Sequence, residues 1–289
     1  MKYPIPFDER ELKLKTIQMR KDILLATHSA GSGHPGGSLS ATEILTVLYN
    51  CILRHEPSEP ENEDRDRFIL SKAHITPGYY SILARTGYID PAEIPNFRKF
   101  GSFLQGHPKK DLKHGIEIGG GSLGQNFSVA CGLALGLKQR NKTAMVYDLS
   151  SEGELQEGSM WEAIMAAPHF KLNNLCMIVD YNNLQIDGCA SDIMGVAPLD
   201  KKFEAFNWNV IVVKNGHNLK EVYDAFKKVE ELSKTTEKPT VIIATTIKGY
   251  GVSYMANVCG WHGKAPNKEE YDKGIQELDD QINQLNNQQ

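Results

Sequence analysis

The stretch TAMVYDLSSEGELQEGSMWEAIMAAPHFKLNNLCMIVDYNNLQIDG, residues 143–188, decides the fold. Its first run, Thr143 to Leu149, and its last apolar run, Leu175 to Asp180, are short and rich in aliphatic and β-branched residues, as strands are. Residues 157–170 between them have the length and apolar content of a helix. Strand, helix and strand in succession make a βαβ unit, which pairs its strands in parallel across a helical crossover.

The pattern extends in both directions. Val210 to Val213 and Thr240 to Thr246 are further strands, and residues 197–206 and 218–232 are further helices, the second capped by Asn218 with Glu221. Upstream, Phe68 to Ser71 is another short apolar run, and the charged, Pro-containing residues 54–66 form a surface loop. The expected fold class is therefore α/β, three layers, with a parallel sheet and helices on both faces. Nearer the N-terminus, Asp8 and Glu11 open a long helix to about Ala30, with Leu14, Ile17, Leu24 and Leu25 on one face. Gly31 to Gly37 is turn-rich, which excludes a helix interior. Ser40 and Glu43 read as a second capping box ahead of the apolar face Ile44, Leu45, Val47, Leu48, Cys51 and Ile52. No repeat or Pro/Ser linker divides the chain, so residues 1–289 form a single domain with a polar tail from about residue 269, a surface helix that frays.

Composition narrows the functions. The chain has 289 residues, 40% hydrophobic and 24% charged, which is ordinary for a globular protein. A net charge of −4 gives no reason to expect nucleic acid or an anionic membrane as a partner, and no apolar run approaches the roughly 20 residues that span a bilayer. The N-terminus has no apolar segment behind its positive charge and does not read as a secretory signal. Five scattered cysteines without CxxC spacing look like reduced thiols. The expected location is the cytoplasm.

Ligands of open parallel sheets bind beyond the carboxyl ends of the strands. Those ends carry Ser150-Ser-Glu-Gly-Glu154, Tyr181-Asn-Asn-Leu-Gln-Ile-Asp-Gly188 and Lys248-Gly-Tyr-Gly251, with Trp261-His-Gly263 beyond. A carboxylate at one strand end and an amide at the next suit a hard divalent cation bridging to phosphate. Gly119-Gly-Gly-Ser-Leu-Gly-Gln125 leads into an apolar helix and could present backbone N–H groups to an anion, although tight packing alone also accounts for such a turn. Among nine histidines, His28, His55, His114, His169 and His217 lie in plain helix or loop sequence, whereas His34, His74, His107 and His262 are embedded in turns. Those four suit phosphate or sugar hydroxyls. Glu157 and Glu162, taken by helical spacing alone, are a solvated face.

Seven stretches together resemble the N-terminal, diphosphate-binding half of transketolase: SGHPGGSLSATEILTVLY (32–49), DRFILSKAH (66–74), GSLGQ (121–125), GELQEGSMWEA (153–163), NNLQIDG (182–188), IKGYGVSYM (247–255) and WHGKAPN (261–267). The resemblance covers nearly the whole chain. It implies a thiamine-diphosphate-binding fold and transfer of a two-carbon ketol unit from a ketose phosphate to an aldose. It also implies a separate pyrimidine-binding partner, the C-terminal transketolase subunit. That partner would supply the essential glutamate, so this chain alone should turn over nothing. An α2β2 heterotetramer is the expected assembly. By position, Glu152, Asn182 and the carbonyl of Leu184 would hold Mg²⁺ or another divalent cation. His74, Gly121, Ser122, Gly153, Glu154, Asn182 and His262 would hold the diphosphate, and Leu123 would lie near the cofactor rings. His34, His107 and His262 would serve the ketose hydroxyls and migrating protons, and Glu157 and Glu162 a carboxylate relay across the interface between the two chains. The LQIDG and WHGKAPN runs favour transketolase over deoxyxylulose-phosphate synthase or a 2-oxo-acid dehydrogenase subunit.

The chain departs from the family pattern at its best-known element. Two apolar residues and Gly-Asp-Gly are replaced by Leu149-Ser-Ser-Glu-Gly153. Glu152 keeps charge and oxygen but reaches farther by one C–C bond, about 1.5 Å, and Ser151 is costly if its position needs positive φ. Asp148 stands in an otherwise apolar strand, and Asn126 where Gly is usual. Two readings follow: an adjusted site that binds cofactor and metal, or a non-catalytic or regulatory subunit with weakened cofactor binding.

Overall fold

A computed structural model describes residues 2–287. In chain order its strands are β1 (Arg67–Leu70), β2 (Val146–Ser151), β3 (Leu175–Tyr181), β4 (Leu184–Gln185), β5 (Gly188–Cys189), β6 (Asn209–Val213) and β7 (Thr240–Thr245). Five of them form one parallel sheet in the order β1-β2-β3-β7-β6, and β4 with β5 makes a small antiparallel hairpin. The helices are α1 (Glu9–Ala30), α2 (Pro35–Ser40), α3 (Thr42–Val47), α4 (Thr76–Thr86), α5 (Asn126–Gln139), α6 (Gly158–His169), α7 (Ala190–Met194), α8 (Leu199–Ala205), α9 (Leu219–Thr235) and α10 (Lys268–Asn287).

Both sheet faces are covered, which is why the strands lack polar alternation. On one face α1, α3, α4 and α9 pack over Phe68, Leu70, Tyr147, Leu149, Ile178 and Ile242. On the other, α5, α6 and α8 pack over Ile69, Val146, Met177, Val179, Val241 and Ile243. The expected three-layer α/β architecture is therefore present. Asp8 caps α1 by accepting from Glu11 N, and Asn218 caps α9 by accepting from Lys220 N and Glu221 N. The polar tail is the helix α10, which buries Leu278 against Ile17, Ile23 and Leu24 of α1; Gln288 and Gln289 lie outside the described residues. Among the described residues no helix is long and apolar enough to cross a membrane.

The segment after α1 corrects the capping-box reading. Pro35, Gly36 and Gly37 are the first turn of α2, with Pro at the first helical positions, where a missing N–H costs nothing. Ser40 caps no helix: its hydroxyl donates to Gly37 O at 3.0 Å and to Asp180 Oδ2 at 2.5 Å. Glu43 does not reach back to Ser40 but pairs with Arg20 and His217. Gly36 is needed for close approach, because a Cβ there would sit 2.8 Å from the Trp261 carbonyl oxygen and 2.9 Å from Lys248 Cγ.

The two departures that could have carried a backbone cost cause no strain. Ser151 continues β2, paired with Asp180 in register, so its position does not need positive φ. Asn126 is the first residue of α5 and is buried, with its Nδ2 donating to Leu70 O at 3.1 Å.

Asp148 is the exception. It is fully buried, accepts from Ser150 Oγ at 2.5 Å, and leaves Oδ1 without a partner among the described residues. Burial and then the nearby Glu154 carboxyl raise its pKa well above the ordinary carboxylate value, outweighing the Ser150 hydroxyl. The folded state therefore holds a proton that the unfolded chain releases. Stability from this group is complete below the unfolded pKa near 3.8 and is lost as pH rises toward the folded value. Asp148→Asn should raise the thermal midpoint at neutral pH and flatten its pH dependence, read by thermal denaturation between about pH 5 and 8. An unchanged slope would contradict the buried neutral acid.

Candidate active site

Because the sheet is parallel, the segments leaving β1, β2, β3 and β7 emerge at one edge. They deliver Lys72 and His74, then Glu152 and Gly153, then Asn182 and Leu184, then Lys248. Together with His34 from α2's entry, Gly121 and Leu123 from the Gly-rich turn, and His262, these residues line a cleft of about 350 Å³. Two larger grooves, of about 650 and 870 Å³, lie elsewhere and gather no comparable set.

The four turn histidines converge. The His34 ring lies 5.3 Å from His74, 5.5 Å from His262 and 6.4 Å from His107, and His74 stacks on His262 at 5.2 Å. All four are held toward the neutral form, first by burial. Beyond burial, Arg98 lowers His34 and His107, Lys72 lowers His74, and Lys248 lowers His262. His34 falls to about 4 and His262 to about 3. His262 Nδ1 lies 2.9 Å from Lys248 Nζ; an ammonium can only donate, so the imidazole proton sits on Nε2.

Two lysines are not legible as site residues in the sequence. Lys72 is 1% exposed and Lys248 3%, which is rare for lysine without a partner. Lys72 Nζ binds Asp180, which also accepts from Ser40, from Thr246 and from Asn182 Nδ2 at 3.2 Å. Burial pushes the Asp180 carboxyl up, but the Lys72 ammonium and these donors hold it below the ordinary value. Lys248 Nζ donates to the Leu184 carbonyl at 2.6 Å, and burial with Lys72 nearby lowers its pKa to about 8. The available signal is position: each lysine closely follows a strand, in SKAH and IKGYG.

Glu152 is 2% exposed, and neither carboxylate oxygen has a partner among the described residues. Burial, then Asp180, raises its pKa to about 7. A buried carboxylate with two free oxygens is costly as an anion and suited to a cation. Asn182 Oδ1 accepts from Leu184 N at 3.1 Å, and Asn183 turns the chain there at φ 55°. Among the described residues no group of three or more His, Cys, Asp or Glu is placed to hold a metal. A cation would thus rest on Glu152 with amide and carbonyl oxygens. The residues fit a divalent cation and an anionic diphosphate.

The remaining expected residues divide. Ser122 is exposed on the Gly-rich turn. Glu154 is buried behind the cleft: its Oε1 accepts from Gly124 N at 2.9 Å and Ser71 Oγ at 2.7 Å, so it fixes the Gly-rich turn. Glu157 is exposed at the cleft wall, and Glu162 is exposed on α6 away from the cleft. The structure does not bring those two into the histidine cluster. His28, His55 and His217 have structural contacts; His217, for example, links Glu43 to Ile247 N.

At the carboxyl edge of this parallel sheet a buried acid, two buried lysines and clustered imidazoles face one cleft, an arrangement suited to an anionic ligand and to proton transfer. The chain matches the family described as "Transketolase, thiamine diphosphate binding domain" over residues 15–281. It is 40% identical to one of the subunits of the apulose-4-phosphate transketolase of Actinobacillus succinogenes, covering 96% of this chain and 99% of that one. The corresponding protein of Phocaeicola vulgatus is 36% identical, over 95% and 96%. The crystal structure of Campylobacter jejuni transketolase superposes with a TM-score of 0.86 at 29% identity, covering 94% of this chain but 43% of that chain. The chain belongs to the transketolase family and matches the two bacterial subunits over nearly their whole length.

Proposed function

We propose that this chain is the cofactor-gripping subunit of a two-chain transketolase and that, with a pyrimidine-binding partner, it transfers a ketol unit from a ketose phosphate to an aldose. The observation that carries this reading is the buried Glu152 carboxylate with both oxygens free, set among Lys72, Lys248 and four imidazoles. Glu152, Asn182 and the Leu184 carbonyl would hold Mg²⁺ or another divalent cation. Lys72, His74, Gly121, Ser122, Gly153, Lys248 and His262 would hold the diphosphate, with Leu123 beside the rings. Lys248 must then leave the Leu184 carbonyl, and the diphosphate is its natural new partner. Thiamine diphosphate, when bound, supplies the nucleophilic carbon that carries the two-carbon unit. This chain's residues orient and move protons: neutral His34 and His107 are in the form that accepts a proton from a sugar hydroxyl, and His262, whose Nε2 carries the proton, would donate to a substrate or diphosphate oxygen. Glu157 and Glu162 would extend toward the partner.

The partner surface is α5 and α6. Ser128, Val129, Gly132 and Met165 lie on the outward side of these helices, and a Cβ on Gly132 or Gly136 would meet nothing within 4 Å among the described residues. Small residues on an outward face allow close helix approach. Gly132→Leu should weaken assembly of the two chains by roughly 30-fold or more, the scale of losing about 2 kcal/mol at an interface centre, without lowering this chain's own thermal midpoint. Sedimentation of the co-expressed pair reads it, and the wild-type pair should sediment as α2β2. Assembly of the leucine variant at wild-type affinity would place the interface elsewhere.

The names of the two bacterial relatives make apulose 4-phosphate the first donor to test. The co-purified pair, given cofactor, Mg²⁺, a ketose phosphate and an aldose phosphate acceptor, should form the ketol-transfer product. Absence of product across donors, in a pair that binds cofactor, would contradict the activity. The cytoplasm, as the place of sugar phosphates, is the location this reading requires.

A further inference from the structure

Arg98 touches the loops that carry His34 and His107, under three unusual conditions. Its backbone has φ 57°, a region costly for a long side chain. Its Nε is buried and has no hydrogen-bond partner among the described residues. Its one side-chain hydrogen bond among the described residues runs from Nη1 to Ser32 Oγ at 2.5 Å, two residues before His34. On the opposite side the guanidinium passes beneath Gly106, immediately before His107, so closely that a Cβ there would lie 2.5 Å from Nε. Phe97 completes the bracket. Its ring lies under the Arg98 guanidinium at 5.4 Å and against Gly33, where a Cβ would come within 3.1 Å. The Arg98 N–H donates to Leu104 O at 2.8 Å, closing the turn that leads to His107.

Strain plus a half-satisfied, uncompensated cation is a poor device for stability, and such costs concentrate at functional sites. We infer that Arg98 is a positioning residue that locks the His34 and His107 loops into one frame and places an unneutralised cation behind both imidazoles. The inference rests on the transketolase reading for its catalytic consequence, and on this chain's geometry for the rest. The groups facing His34 are His74, His107, His262, Arg98 and Lys248; those facing His107 are His34 and Arg98. None of them is a carboxylate. Burial comes first in keeping both rings neutral, and Arg98 is the next cause for each.

The test uses the assembled two-chain complex with Arg98→Met, Arg98→Lys and Ser32→Ala. Arg98→Met should lower kcat/KM by roughly 100-fold, the scale of an ångström-sized misplacement. It should also move the acid limb of the pH profile to higher pH, with cofactor affinity by calorimetry unchanged. Arg98→Lys keeps the charge, so the limb should stay in place while only part of kcat returns. Ser32→Ala should lower kcat and leave the limb unmoved. A second readout needs no turnover: with histidine-labelled chain, the His34 and His107 imidazole titrations should move to higher pH in Arg98→Met, assigned through His34→Gln and His107→Gln. Unmoved titrations would overturn the inference, as would an unchanged pH limb in an active complex. Loss of cofactor binding in parallel with kcat would overturn the positioning role and reduce Arg98 to a general support. If the wild-type complex transfers no ketol unit, the transketolase reading fails, and the titrations still decide the role of Arg98.

Discussion

Glu152→Gln should abolish metal-dependent cofactor binding while making the cofactor-free chain more stable. Removing a direct metal ligand should cost more than the roughly 10- to 100-fold typical of groups behind the ligands, so a loss of over about 100-fold in cofactor affinity is expected. The stability gain follows from the same atoms. The folded chain holds this carboxyl near pKa 7 against an ordinary 4.5, because burial and Asp180 oppose its charge. A raised acid pKa means stability is complete below about 4.5 and falls as pH rises through about 7. Glutamine keeps the shape and removes the charge, so the thermal midpoint at about pH 8 should rise and its decline from about pH 5 should shrink. Calorimetry with and without Mg²⁺ checks the first effect, and thermal denaturation at the two pH values the second. A glutamine variant that binds cofactor like wild type would remove Glu152 from the metal site.

Lys72→Met should produce the largest loss of stability. Its ammonium is the only cation paired with Asp180 among the described residues, and Asp180 is fully buried at the end of β3. Stripping one partner from a buried pair leaves an uncompensated charge and costs about 3–5 kcal/mol. Adding Asp180→Asn should recover most of that cost, since the remaining donors can serve an amide oxygen. The pair also predicts a pH effect of opposite sign to that of Glu152. Asp180 is held below its ordinary value, so its contribution is present above about 3.8 and is lost as pH falls through the lowered value. Denaturant titration of the two single variants and the double variant measures the coupling. A Lys72→Met chain as stable as wild type would show that Ser40, Thr246 and Asn182 alone support the charge.

The sheet and its order of elements are legible because buried parallel strands carry their signal in local composition. Leu175 to Asp180 and Thr240 to Thr246 need no tertiary information. The family is legible for a different reason: seven motifs in sequence order carry it, and the matched relatives bear it out. The entry to α2 is not legible. Pro35-Gly36-Gly37 has turn composition, yet it forms the first turn of α2, with Trp261 and Lys248 so close to Gly36 that a Cβ would not fit. Ser40 and Glu43 imitate a cap because a capping box and a buried hydrogen-bonding pair use the same residue types; their partners are 140 and 174 residues away, at Asp180 and His217. Glu152, His34, His74, Asn182, Leu184 and His262 follow from motif position, and the structure gathers them into one cleft. Lys72, Lys248 and Arg98 escape a sequence reading because a cation reads as surface until its burial is known. Their significance lies in missing or distant partners, which a local pattern does not encode.

With Ser151-Glu152-Gly153 in place of Gly-Asp-Gly, the site should still bind cofactor. Calorimetry of thiamine diphosphate on the chain co-assembled with its pyrimidine-binding partner, with and without Mg²⁺, decides this. Stoichiometric binding that requires the metal is the expected result. Absence of binding, in a complex shown to be folded and assembled, would contradict it and leave a protein that has kept the transketolase fold without its cofactor.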